Sequence, residues 1–294
     1  KIQKNQQFSF IISSNYHSKF RKSLKILLLY LNNVNIRNMA KVIAILNHKG
    51  GVGKTTTVIN LAAALNIKKK RVLAIDLDGQ ANLTESFGLS MDEPLTIYGA
   101  MKGEYPLPLI DLECGISLVP SCLDLSAAES ELINEPGREM ILRDLIGKIP
   151  TDRKYDYIII DCPPSLGLLT LNALTAADLL VIPVQAQYLA MRGMAKIMNI
   201  INVVKNRLNP NLQMGGILIT QFNSRKSLNK SVSELIKESF CDKVFKTIIR
   251  DNVTLAEAPV KGKSIFEYNK RCNGAIDYMS FAKEVLKLKL YEQK

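Results

Sequence analysis

The sequence predicts a doubly wound α/β domain with a mostly parallel sheet and helices on both faces. Short apolar runs at residues 42–46, 157–160 and 179–184 have strand length and no polar alternation, as strands covered on both faces do. Helix-compatible segments separate these runs, the arrangement that gives parallel strands joined by crossover helices. Aspartates stop two of the strand segments, Asp76 after residues 71–75 and Asp161 after residues 157–160. Carboxylates at the C-terminal ends of parallel strands stand where open α/β sheets bind their ligands.

Residues 1–38 hold seven Lys/Arg and no Asp/Glu, so most of the net charge of +12 comes from this stretch and the remainder is only mildly basic. The apolar run at 26–31 is shorter than the roughly 18 residues a membrane span needs, and no small-residue cleavage site follows it. We read residues 1–38 as a basic N-terminal extension that is disordered or not native, and residues 39–294 as one domain, because no Pro/Gly/Ser-rich linker divides them. Five cysteines at 114, 122, 162, 241 and 272 form no C-x-x-C and are odd in number, which points to neither a zinc site nor a disulfide framework.

Residues 41–57, KVIAILNHKGGVGKTTT, read as strand, phosphate-binding loop and helix. Glycines let backbone N–H groups curl round phosphate oxygens, and the helix that starts near Lys54 adds its positive dipole end. The expected nucleotide contacts are Lys49, Gly50, Gly51, Val52, Gly53, Lys54, Thr55 and Thr56, with Lys54 on the β/γ-phosphates and the Thr55 hydroxyl on Mg²⁺. His48 stands where the common loop pattern has glycine, so the loop fits instead the variant Lys-Gly-Gly-x-Gly-Lys-Thr, with its additional lysine at 49.

That loop, the Asp76-Leu77-Asp78 pair and Asp161-Cys162-Pro163-Pro164 together resemble the ParA/MinD group of deviant Walker A ATPases, and most closely its ParA/Soj partition type, over residues 40–288. The resemblance implies that Lys49 crosses a face-to-face dimer to the partner's phosphates, that Asp78 positions or activates the attacking water, and that Asp161 orients Mg²⁺. Asp76 is assigned to the Mg²⁺ shell or to the backbone of the switch. Catalysis is thus expected from Lys49, Lys54 and Asp78, and metal binding from Thr55, Asp161 and Asp76. The family usually continues with Pro-Gln after Asp78, whereas Gly79-Gln80 stands here and is expected to loosen the switch.

Further along, residues 96–101 read as a short helix, 116–119 as a strand and 124–149 as two helices; residues 121–126 follow a strand end and could face the site. Cys162 reads as a small buried hydrophobe. Residues 214–221 form another strand, after which Asn223 is a candidate for adenine by resemblance. No Asn-Lys-x-Asp guanine signature occurs, since Ser231 and Val232 follow Asn229-Lys230, and ATP is favoured over GTP. The family commonly has acidic residues where Gln187 and Arg192 stand. Residues 252–259 match the partition-type pattern at Asn252, Val253, Leu255, Glu257, Ala258 and Pro259, with Arg250-Asp251 in place of its Pro-Arg. In the last helix, about 275–288, apolar residues at 276, 279, 282, 285 and 286 suggest the core stripe.

The resemblance implies an ATP-dependent switch with ATP and Mg²⁺ as cofactors. Its expected partners are a second copy in an ATP-bound homodimer, non-specific double-stranded DNA and a ParB-like centromere-binding protein, in a cytoplasmic, nucleoid-associated setting. Arg225, Lys230, Arg250, Lys261 and Lys263 are the candidate phosphate contacts on DNA. The nearest alternative is a MinD-like membrane-associated regulator; the tail at 285–291 alternates instead of following a helical period, which disfavours it. An amide-forming or carboxylating small-molecule ligase and an inert nucleotide-gated scaffold are the rivals from other classes.

Overall fold

The structure, a computed structural model, describes residues 40–288 except 188, 189 and the side chains of 190–192. The expectations placed on residues 1–38, on the side chain of Arg192 and on the tail past 288 lie outside the described residues. In chain order the elements are β1 (Lys41–Ile45), α1 (Lys54–Ile67), β2 (Val72–Asp76), α2 (Asn82–Ser86), α3 (Ile97–Met101), β3 (Ile110–Asp111), β4 (Ser117–Val119), α4 (Ala128–Glu131), α5 (Ile141–Gly147) and β5 (Tyr157–Asp161). They continue with α6 (Leu168–Ala176), β6 (Leu179–Gln185), α7 (Ala190–Arg207), β7 (Gln213–Phe222), α8 (Ser227–Phe240), β8 (Val244–Arg250), α9 (Thr254–Val260), α10 (Ile265–Asn269) and α11 (Asn273–Val285).

The strands form one sheet in the order β3-β4-β2-β5-β1-β6-β7-β8, parallel except for the β3–β4 pair. The chain leaves central β1 toward β2 and β4 on one side and later fills β6, β7 and β8 on the other. This reversal of winding opens a crevice at the C-terminal end of β1, the place where such sheets bind ligands. The register brings the aspartates to the same level, with Asp161 opposite Ile45 on β1 and opposite Asp76 on β2.

The central strands β2 and β5 are buried at every position, which is why their sequences run apolar without alternation. Helix α1 is buried from Thr57 to Leu65, enclosed between the sheet and α11, whose Tyr278, Phe281 and Val285 join Val58, Leu61 and Leu65 in one core. Phe281 meets Phe245 of β8 edge to face at 4.9 Å between ring centres.

Two expectations are corrected. In the expected stripe of α11, Ala282 and Val285 are buried and Met279 and Leu286 pack against the same core, but Ile276 is 52% exposed, and Ala275, Tyr278 and Phe281 complete the buried face. Asp277 and Tyr278 are buried too, and both have polar partners on other elements that periodicity could not supply. Between 124 and 149 the expected two helices are fragmented into 3₁₀ turns at Leu123–Ala127, Leu132–Asn134 and Arg138–Met140 around the short α4 and α5. Pro136 forces Glu135 into an extended conformation, and Gly137 at φ 72° reverses the chain. The β3 edge strand and the five-residue α2 were not anticipated.

Candidate functional site

The loop between β1 and α1 is built from local backbone freedom and distant tethers. Gly51 and Gly53 adopt φ of 73° and 84°, a left-handed geometry that suits glycine. The carbonyls of the loop are tied outward: Val52 O accepts from Thr220 Oγ1 at 2.8 Å, Gly51 O from Gln221 Nε2 at 2.7 Å and Gly53 O from Thr57 Oγ1 at 2.6 Å. Gln185 Nε2 in turn donates to Gln221 Oε1 at 2.7 Å, and Tyr278 OH lies 3.2 Å from Thr57 Oγ1. Gln221 holds this place at φ 49°, unusual for a side chain with a Cβ, so the tether maintains local strain. With the carbonyls fixed outward, the loop's N–H groups and the side-chain-uncapped start of α1 offer an anion cradle. Apart from Thr57 of α1, these tethers come from β6, β7 and α11, and no local signal in the sequence foretold them.

Lys54 is only 7% exposed, an unusual burial for an ammonium and one that suits a phosphate ligand. Thr55 and Thr56 are half-buried in the first turn of α1. Lys49 donates its N–H to Asn47 Oδ1 at 3.0 Å, and its Nζ bonds Gln187 Oε1. Its amine is therefore held by the loop after β6. Asn47 is fixed by its own bond to Pro183 O at 2.7 Å. His48 lies against Gly193 of α7, where a Cβ would fall 2.2 Å from the imidazole Cε1, so the glycine permits the close approach. Burial and the charges of Lys196, Lys54 and Lys49 push the His48 pKa down, favouring the neutral ring.

Asp161 is the central acid. Both its oxygens are buried and make no hydrogen bond, although the Thr55 hydroxyl and Lys54 stand close enough to favour the charged form. Burial, followed by the charge of Asp76, drives its pKa well above the usual carboxylate range. A buried carboxylate without partners beside a threonine hydroxyl and an ammonium fits Mg²⁺, which takes one or two protein ligands and fills the rest of its shell with water and phosphate oxygens. Thr55 and Asp161 would hold that ion, which would neutralise phosphate charge. Among the described residues no group of three or more His, Cys, Asp and Glu could hold a metal, so an all-protein cage is not what this site offers.

Asp76 is also fully buried, with its pKa raised by burial to about 6. Its carboxylate accepts from Thr84 N at 2.8 Å, Thr84 Oγ1 at 2.7 Å and Asp78 N at 3.2 Å. Of the two roles open to it, these bonds favour the switch backbone over the Mg²⁺ shell. Asp78 is half-buried and accepts from Gln80 N at 3.1 Å. Cys162 is fully buried, and burial pushes its thiol pKa up, consistent with an inert packing residue.

Asn223 lies in the loop between β7 and α8, where its Oδ1 accepts from Arg225 N at 2.9 Å and its own N–H donates to Asn229 Oδ1 at 3.0 Å. Arg225, Lys230, Lys261 and Lys263 are exposed. Arg250 differs from them, because its guanidinium is bound to Asp277.

A family model described as an AAA domain matches residues 40–214. The chain is 43% identical over 254 residues to a chromosome partitioning protein ParA of Myxococcus xanthus, covering 85% of this chain and 89% of the relative. It is 44% identical over 253 residues to the sporulation initiation inhibitor protein Soj of Bacillus subtilis, covering 84% and 98%. The chain belongs to the ParA/Soj family of partition ATPases. A solved structure named as a cobyrinic acid a,c-diamide synthase from Mycobacterium smegmatis, with bound ATP analogue and magnesium, is 35% identical with a TM-score of 0.75, over 85% of this chain and 95% of that one. In this ParA/Soj chain the loop, Lys54, Thr55 and Asp161 converge at the crevice beside β1. No helix among the described residues is long and apolar enough to cross a membrane.

Proposed function

We propose that this ParA/Soj-family ATPase is a DNA-partition switch. Mg-ATP occupies the loop, Lys54, Thr55 and Asp161, and two chains close face to face with Lys49 of each reaching the other's phosphates. The dimer binds double-stranded DNA without sequence preference through exposed cations including Arg225, Lys230, Lys261 and Lys263. Hydrolysis, with Asp78 acting on the water and a ParB-like centromere-binding protein as stimulant, releases the DNA. The protein works on the nucleoid in the cytoplasm. The observation that carries the nucleotide half is the bare, buried Asp161 carboxylate beside Thr55 and Lys54. The dimer half rests on membership of the ParA/Soj family; the Lys49 amine is bonded within its own chain to Gln187 and must leave that partner to cross the dimer.

The test is light scattering and DNA binding by fluorescence anisotropy with ATP, with ADP and without nucleotide. The expected result is a dimer and DNA binding with ATP alone, with affinity falling along log salt at a slope of about −0.9 per phosphate neutralised. DNA binding by a nucleotide-free monomer would defeat the reading. A small-molecule ligase is the second reading, supported by the likeness to the diamide synthase structure; it requires turnover that depends on a carboxylate or amine substrate and not on DNA.

A further inference from the structure

Segment 121–126 follows β4 and carries no motif, yet it bonds both the Asp78 loop and α2. Ser121 Oγ donates to Asp78 O at 2.8 Å, and Ser121 N donates to Thr84 Oγ1 at 2.9 Å. Thr84 Oγ1 passes its single proton to Asp76 Oδ2 at 2.7 Å, and Asp76 Oδ1 accepts from Asp78 N at 3.2 Å. The bonds close a ring, Asp76 to Thr84 to Ser121 to Asp78 and back to Asp76. Each hydroxyl has one proton and one defined acceptor, so the direction of donation is set by stoichiometry. Asp76, Thr84 and Ser121 are all 0% exposed, where a lost bond leaves an unsatisfied buried group.

The ring grips Asp78 by its backbone N–H and C=O and leaves its carboxylate outside. Just beyond it, a Cβ at Gly79 would fall 2.2 Å from Ser126 Oγ and 3.0 Å from Ser126 N, so the 3₁₀ turn after Ser121 lies directly against the loop. The Asp78 loop is therefore held from β4, on the side of the sheet away from the phosphate loop. A loop with glycine at 79 is thereby kept in one place.

We propose that Ser121 and Thr84 are positioning residues for ATP hydrolysis: through this ring they set where the Asp78 carboxylate meets the attacking water. The proposal rests on the reading of Asp78 as the residue that acts on that water. Neither hydroxyl reaches the phosphate loop, so nucleotide affinity is expected to be insensitive to both.

The test measures hydrolysis of Mg-ATP at saturation, equilibrium affinity for ATP and thermal melting for Ser121→Ala, Thr84→Val, Thr84→Ser and Asp78→Ala in the full chain. Ser121→Ala and Thr84→Val should lower kcat about tenfold, the size expected for losing one well-placed interaction, with the affinity for ATP changed less than about twofold. Thr84→Ser keeps the hydroxyl and should retain kcat. In an Asp78→Ala background, Ser121→Ala should bring no further loss, because both act on the same step. A slow Asp78→Ala with Ser121→Ala and Thr84→Val at wild-type kcat overturns the ring alone. A normal kcat for Asp78→Ala overturns the reading of Asp78 itself. An additive loss in the double variant would assign Ser121 a purely structural role and also defeat the proposal. Should Thr84→Val fail to fold, Ser121→Ala decides, since it removes one hydroxyl and leaves the N–H bond to Thr84 in place.

Discussion

Arg250 clamps Asp277 from both main chain and side chain: its N–H reaches Oδ2 at 3.0 Å, its Nε reaches Oδ2 at 2.9 Å and its Nη2 reaches Oδ1 at 2.6 Å. The carboxylate is nearly buried while the guanidinium is 46% exposed, so the pair ties β8 to α11 and presents only one edge of the cation to solvent. Arg250→Ala should therefore cost about 1–3 kcal/mol of stability, because buried Asp277 keeps only the backbone donor. If the exposed edge also meets DNA phosphates, the same variant weakens binding to unrelated duplexes equally and lowers the salt slope, while ATP-dependent dimerisation survives. Urea unfolding and anisotropy titrations at several salt concentrations separate the two effects. Unchanged DNA affinity would leave Arg250 with the structural role alone.

The two lysines of the loop should fail differently. Lys54→Ala is expected to abolish ATP binding, because its buried amine is the point charge inside the cradle. Lys49→Ala should bind ATP normally and lose dimerisation and hydrolysis, since on the proposed dimer its amine leaves Gln187 to reach the partner's phosphates. Calorimetric titration with ATP, followed by light scattering, distinguishes them; normal turnover in Lys49→Ala would show that this lysine does not act across a dimer.

Asp161→Asn should move stability and function in opposite directions. In the nucleotide-free protein Asp161 and Asp76 titrate above the ordinary carboxylate range, the latter at about 6. The folded state thus keeps protons that the unfolded state has released, and stability falls as pH rises from about 4 through 6. Removing this buried titrating carboxyl should raise the melting temperature near pH 7 and flatten that fall. The same change should weaken the Mg²⁺ dependence of nucleotide affinity by about 10- to 100-fold. Melting curves at pH 4.5 and 7, with ATP binding measured with Mg²⁺ and with EDTA, test both halves. A variant less stable than wild type at pH 7 would mean that Asp161 has a stabilising partner in solution.

Gly79→Pro restores the residue the partition pattern usually has, yet here it should harm. A Cβ would meet Ser126 at 2.2 Å from its hydroxyl and 3.0 Å from its main-chain nitrogen. A loss of about 1–3 kcal/mol is expected for such overpacking, together with slower hydrolysis. Ser126→Ala removes the nearer atom and should recover part of the loss in the double variant. Equal unfolding midpoints for Gly79→Pro and wild type would show that the 3₁₀ turn yields without cost.

The strand, loop and helix at residues 41–57 and the aspartates at 76 and 161 were legible because strand length, glycine freedom and the chemistry of a strand's C-terminal end are local properties written in consecutive residues. The succession of buried strands was legible for a related reason, since a strand covered on both faces needs an unbroken apolar run. What the tertiary structure decided is every relationship between residues far apart in the chain. The carbonyls of the loop are tethered by Thr220 and Gln221, about 170 positions later, and Asp76 is bonded through Thr84 to Ser121 in the segment after β4. Tyr278 and Asp277 lie in the core because Thr57 and Arg250 wait there to satisfy them. A polar side chain can be buried only where a partner meets it, and no periodicity along its own helix encodes where that partner will be.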